Sequence, residues 1–145
     1  MMPCIKEKSY MDKSEINNSS DMFLYKAIID LNTAKYLLDA YNQDKIDIDI
    51  EKIYFELQQC SEKCLKSLLS KHSIRIPKIH DLEELIELCM DHNIELIENI
   101  SSLVQLNDYA VDGRYSIIHD DIDDSENYIE LLELLINSVK GTSEK

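Results

Sequence analysis

Apolar residues return at steps of three and four along nearly the whole chain. Leu24, Ala27/Ile28, Leu31, Ala34, Leu37/Leu38 and Tyr41 keep this rhythm, which a 3.6-residue period gathers on one face of an α-helix. The spacing predicts a first helix from about Asp21 to Tyr41. Ile53, Leu57, Cys60, Cys64 and Leu68 stripe a second, from about Ile50 to His72. Pro77 ends any continuation and drives Ile76 toward extended backbone. Asp81 followed by Glu84 has the spacing of a capping box and opens a third, short helix through Leu82, Leu85, Ile86 and Cys89. Asn93 is placed to cap a fourth, with Leu96/Ile97, Ile100, Leu103/Val104 and Ala110 turned inward and Gly113 at its end. Asp123 with Glu126 repeats the capping-box spacing, and a last helix on Tyr128, Leu132, Leu135/Ile136 and Val139 stops at Gly141. Ser73–Ile76 is a weak strand candidate, too short and isolated for a sheet. Five amphipathic helices with short connections predict an all-α domain built as an antiparallel bundle.

Composition agrees. Two Gly and two Pro in 145 residues leave too few turn formers for a sandwich or barrel, and the length is that of one domain. Residues 1–20 are polar and aperiodic and read as a tail, either disordered or folded over the domain. Residues 21–140 form the helical domain and 141–145 a short C-terminal tail. No apolar run approaches the ~18–20 residues of a bilayer span. The first 21 residues carry no apolar core of a secretory leader. A soluble, cytoplasmic protein without a membrane partner is expected.

With 29 acids against 15 Lys plus Arg, the formal net charge is −14, which repels polyanions at long range and argues against indiscriminate nucleic-acid coating. A local exception runs from Lys63 to Lys78, where Lys63, Lys66, Lys71, Arg75 and Lys78 occur without an acid. Such a stretch suits either phosphate contact or a solvated helix C-terminus.

Several chemistries lack their residues. None of His72, His80, His92 and His119 has Glu three positions before it, so the paired Glu-x-x-His of di-iron bundles is unsupported. Two isolated glycines exclude glycine-rich phosphate loops. Cys4, Cys60, Cys64 and Cys89 match no zinc-finger or Cys-x-x-Cys spacing. Cys60 and Cys64, one helical turn apart, read either as half a metal site or as small buried apolar residues. No metal and no cofactor is expected. One stretch stands apart, Gly113-Arg114-Tyr115-Ser116-Ile117-Ile118-His119-Asp120-Asp121. In a regular helix the Arg114 and His119 side chains would splay by about 140°, so their convergence needs a bend, which Gly113 permits. A guanidinium grips phosphate bidentately and an imidazole moves protons near neutrality, a workable pair for RNA cleavage. His119 alternatively caps a helix end or pairs with Asp120 or Asp121.

Three segments carry a family resemblance. Gln58 to Leu69 (QQCSEKCLKSLL) resembles a "Q-A-x-E-K-x-L-K-A-L-L" helix, Ile76 to Leu85 (IPKIHDLEEL) a "P-x-T-H-D-L-x-x-L" connection, and Arg114-Tyr115 an Arg-Tyr near the last helix. In this order they resemble the HEPN superfamily (higher eukaryote and prokaryote nucleotide-binding) over roughly residues 21–140. The resemblance implies a four- to five-helix up-and-down bundle that forms a two-fold homodimer. It also implies, for active members, a metal-independent endoribonuclease whose Arg-x4–6-His motifs from both subunits line one cleft. Such members are commonly toxins encoded beside a nucleotidyltransferase-fold antitoxin. Arg114 and His119 match the motif. Tyr115 stands where active members usually carry a small polar residue. The branch with the "P-x-T-H-D-L" connection often lacks the catalytic histidine, which keeps open a non-catalytic module that binds a nucleotide or a nucleotidyltransferase partner. His80 is a second candidate, for a ligand phosphate or as the residue before a capping Asp81. Lys63 and Lys66 could reach RNA or nucleotide phosphates, or Lys66 could form an ordinary i,i+4 surface pair with Glu62.

Overall fold

Capping chemistry sets where each helix begins. In the computed structural model, which describes residues 11–109 and 125–142, Asn18 Oδ1 accepts the Asp21 backbone N–H at 2.8 Å and Asp21 Oδ2 accepts the Asn17 N–H at 3.0 Å. This reciprocal cap starts α1 (Ser19–Asn42) two residues earlier than its apolar stripe alone indicates. Ahead of it a 3-10 turn, Lys13–Glu15, closes on Asp12, and Met11 packs against the core. α2 spans Ile50–Lys71, α3 Leu82–Asp91 and α4, the fifth helix expected, Ser125–Gly141. Asp81 caps α3 as its spacing predicts, its Oδ1 accepting Glu83 N–H at 2.9 Å. Gly113 and the Asp123–Glu126 cap expected before α4 involve residues outside those described. Among the described residues every regular element is helical, as an all-α bundle requires.

The first three helices end without glycine. α1, α2 and α3 each close with a residue in the left-handed region, Asp44 (φ 57°), Ser73 (φ 59°) and Asn93 (φ 60°). In each the next residue's N–H reaches back to the carbonyl five before it, Lys45 to Ala40, Ile74 to Leu69 and Ile94 to Cys89, the Schellman pattern. Asn and Asp tolerate this conformation; Ser does so less readily. Ser73→Gly is therefore expected to stabilise the protein by about 0.5–1 kcal/mol, read as a rise in urea midpoint with an unchanged slope.

The same geometry corrects one expectation. Asn93 ends α3 instead of capping a fourth α-helix, and Ile100–Tyr109 forms a ten-residue 3-10 segment. The reason lies in its spacing: Ile94, Ile97, Ile100, Leu103, Leu106 and Tyr109 recur every three residues. An α-helix would wind that line around its axis, whereas three residues per turn keep it on one side. Ile100, Leu103 and Leu106 are buried along it.

α2 is the central element and packs against α1, α3, the 3-10 segment and α4. α1 lies antiparallel to it. Ser19 and Ser20 at its start meet Ser70 and Ser67 at the end of α2, and Asp30 meets Lys63 midway. α4 runs parallel to α2. Tyr128 touches Tyr54 near both starts, and Lys71 Nζ donates to the Val139 carbonyl at 2.6 Å and that of Thr142 at 3.0 Å near both ends. An ammonium there suits the negative end of the α4 dipole. Leu57, Leu65, Leu68, Leu69, Leu132 and Leu135 fill the space between. No helix among the described residues is long and apolar enough to cross a membrane.

Candidate functional site

Burying α2 on nearly all sides also buries polar side chains, which must then find partners. Ser61 donates back to the Leu57 carbonyl, and Ser67 to that of Ser20. The charged group is Glu62. Its side chain is 6 % exposed, and Oε2 accepts both Lys66 Nζ at 2.9 Å and His80 Nδ1 at 2.8 Å. Gln58 Nε2 donates to Glu62 Oε1 at 3.4 Å and to the His80 carbonyl at 3.3 Å. Burial pushes the Glu62 carboxyl up, but the hydrogen bonds and charges of Lys66 and His80 outweigh it and hold the group below its ordinary range. The expected Glu62–Lys66 surface pair is thus an interior one, because the connection from Ser73 to Asp81 folds over that side of α2 and brings His80 onto it. His80 itself is 71 % exposed. With Nδ1–H donating to the carboxylate, its Nε2 is the ring atom left for a ligand or a proton.

The acid-free stretch is less available than its sequence suggests. Lys63 pairs with Asp30 at 2.6 Å, Lys66 with Glu62, and Lys71 with carbonyls at the end of α4. Burial raises the Asp30 carboxyl above its ordinary range against the pull of Lys63. Arg75 and Lys78 are exposed. Cys60 and Cys64 are fully buried core residues, and burial followed by the Cys64 hydrogen bond pushes the Cys60 thiol well up. Burial pushes Cys89 up to about 12. Among the described residues no group of three or more His, Cys, Asp or Glu could hold a metal ion.

Sequence reasoning missed several of these partners. Asp30 and Lys63 lie 33 positions apart on different helices, and nothing local marks them as partners. Asn107, from the 3-10 segment, accepts the Leu82 N–H at 2.8 Å and donates to Asp81 Oδ1 at 3.0 Å, a cap supplied from 25 residues away. His72 and His92 do have a local signal. Each ends a helix, its Nδ1 within 3.0 Å of the carbonyl four residues back, Leu68 and Leu88, in a repeated Leu-x-x-x-His-[Ser/Asn]-Ile.

Arg114 and His119 lie outside the described residues, but the flanks of their segment are fixed. Tyr109, the last residue of the 3-10 segment, stacks on Tyr54 at 4.9 Å between ring centroids. Tyr128, in the first turn of α4, meets the same ring edge-on at 6.0 Å. The Tyr128 hydroxyl donates to Gln105 Oε1 at 3.0 Å. Tyr109 and Tyr128 thus both lie at one end of the bundle, beside the start of α2. Two acids, Glu51 and Asp108, lie near Tyr109 there. Burial first, then Glu51, Asp108 and Tyr128, push the Tyr109 hydroxyl up to about 12.

The family model for the HEPN domain matches residues 20–142. The chain belongs to the HEPN domain family. No curated protein and no solved structure gives a significant match to it. Two of the three segments of the resemblance are in contact in this HEPN domain. The Gln58–Leu69 helix and the Pro77–Leu85 connection are joined by Gln58 and Glu62 reaching the carbonyl and the ring of His80.

Proposed function

We propose that the protein is a metal-independent endoribonuclease of the HEPN type, working as a homodimer through Arg114 and His119. One observation carries this reading. In the sequence Arg114 and His119 fall between Tyr109 and α4, and both of those flanks meet a single ring, Tyr54. In the chemistry, the ribose 2′-oxygen loses its proton to one imidazole and bonds to phosphorus. The 5′-oxygen leaves with a proton from the second, giving a 2′,3′-cyclic phosphate and a 5′-hydroxyl. Arg114 holds the phosphate oxygens. Cleavage needs a base and an acid, and a two-fold interface supplies two copies of one histidine. In a cell this activity fits the toxin of a toxin–antitoxin pair whose partner has a nucleotidyltransferase fold.

A second reading, a non-catalytic module that binds a nucleotide or a nucleotidyltransferase, draws on a different observation. Lys63 and Lys66 are engaged by acids, and His80 Nε2 with the exposed Arg75 and Lys78 lies along one connection. Incubation of the purified full-length protein with RNA in EDTA decides between the two. The nuclease yields fragments with 5′-hydroxyl and cyclic-phosphate ends in undiminished amount. Absence of cleavage, with retention of nucleotide or of a nucleotidyltransferase partner, establishes the module; cleavage abolished by EDTA overturns the metal-free chemistry.

A further inference from the structure

α1 has two apolar faces. Leu24, Ala27, Leu31, Ala34 and Leu38 are buried in the bundle, while Met22, Ile29 and Tyr36 stand 41 %, 44 % and 67 % exposed on the other side. These three are seven residues apart. Tyr25 and Asn32, of intermediate exposure, fall between them, so positions 22, 25, 29, 32 and 36 advance by three and four in turn. That is the seam of a two-stranded coiled coil, and it runs about 21 Å along the helix.

We propose that this face is the contact between two copies of the chain, packed α1 against α1 in parallel about a two-fold axis. Charge selects this occupant and this direction. Asp21 and Lys26 flank the seam on opposite sides, five residues apart, which is the offset at which flanking positions of parallel helices meet. Asp21 of each copy then faces Lys26 of the other, twice by symmetry. The Asn17 N–H already holds the Asp21 carboxylate in place. Antiparallel packing centred on Ile29 would set Asp21 opposite the apolar Leu37 and leave both charges unmatched. A parallel pair also turns the Tyr54 ends of both bundles to the same side, as a cleft shared by two copies of one motif would require. This consequence rests on the proposed nuclease; the contact itself does not.

Analytical ultracentrifugation over a concentration series tests the surface, with Ile29→Glu and Tyr36→Glu as variants checked by circular dichroism for retained helix. The wild type sediments as a dimer, and Ile29→Glu, which sets two carboxylates against each other across the axis, weakens association about 100-fold or more. Met22→Cys and Tyr36→Cys each cross-link to themselves on oxidation, with the wild type as control for the native thiols. Cross-linking only when the two variants are mixed overturns the parallel arrangement. A wild-type monomer overturns the proposal, whether the chain's own first ten residues or another protein's helix covers the seam. A dimer untouched by both Glu variants overturns the surface and leaves the two-subunit nuclease standing. A dimer split by Ile29→Glu, without RNA cleavage in any form, keeps the surface and sinks the nuclease.

Discussion

Replacing His119 by alanine is expected to lower RNA cleavage about 10²–10⁴-fold, the usual contribution of a positioned proton-transfer group. Arg114→Ala is expected to cost about 10²–10³-fold, the scale of losing one preorganised donor to developing negative charge. The two losses should differ in pH dependence. Removing the imidazole flattens the limb of the rate profile near neutrality, whereas removing the guanidinium lowers the whole profile and leaves its shape. Single-turnover cleavage across pH 5–9 (a range of about two units either side of a histidine's ordinary pKa) separates them. Equal cleavage by the wild type and both variants would remove the motif from the chemistry and favour the nucleotide-binding module.

The second large effect is on stability. Glu62→Ala leaves Lys66, 10 % exposed, as a buried cation without its carboxylate, and is expected to cost about 3–5 kcal/mol. Replacing both by methionine removes the uncompensated charge and should restore most of that loss, because well-packed apolar side chains often equal a buried ion pair. Acid should shrink the difference between wild type and Glu62→Ala. The carboxyl is held low in the folded state, so its contribution is present above its unfolded pKa of about 4.3 and fades as the pH falls through the lower folded value. Urea titrations at neutral and acidic pH measure both statements. A loss below about 1 kcal/mol for Glu62→Ala would mean that Lys66 swings its ammonium into water along its flexible stem.

Period and capping explain why most of the fold was legible in the sequence. The stripes on α1, α2 and α4 are buried apart from the exposed Tyr41 and the partly buried Leu37 and Tyr128, and Asp81 caps where its spacing says. Local pattern failed where two readings of one residue compete. Asn93 can start a helix or end one, and its neighbours decided for the end, because Ile94 follows it into the core and bonds back to Cys89. The three-residue repeat from Ile94 to Tyr109 is visible in the sequence, but Leu96 and Val104 beside it also fit a helix of ordinary pitch. For the candidate site, spacing picked out Lys63, Lys66 and His80 but not their state. Whether a lysine on α2 faces water depends on Asp30 from α1 and on the connection after α2, contacts between distant positions that no local period encodes. Glu62 shows the same limit. Its i,i+4 relation to Lys66 was evident, and its burial was not.

The extended winding of the segment before Tyr109 has a mechanical corollary. Ten residues at about 2.0 Å each cover about 20 Å, whereas the tighter-rising α form at about 1.5 Å would cover about 15 Å. Rewinding that stretch would retract its far end by about 5 Å and pull Tyr109 off Tyr54. The aromatic stack thus works as a length gauge. It clamps the spacer at full reach, and so dictates how far from the bundle's middle the chain sets out toward Arg114 and His119.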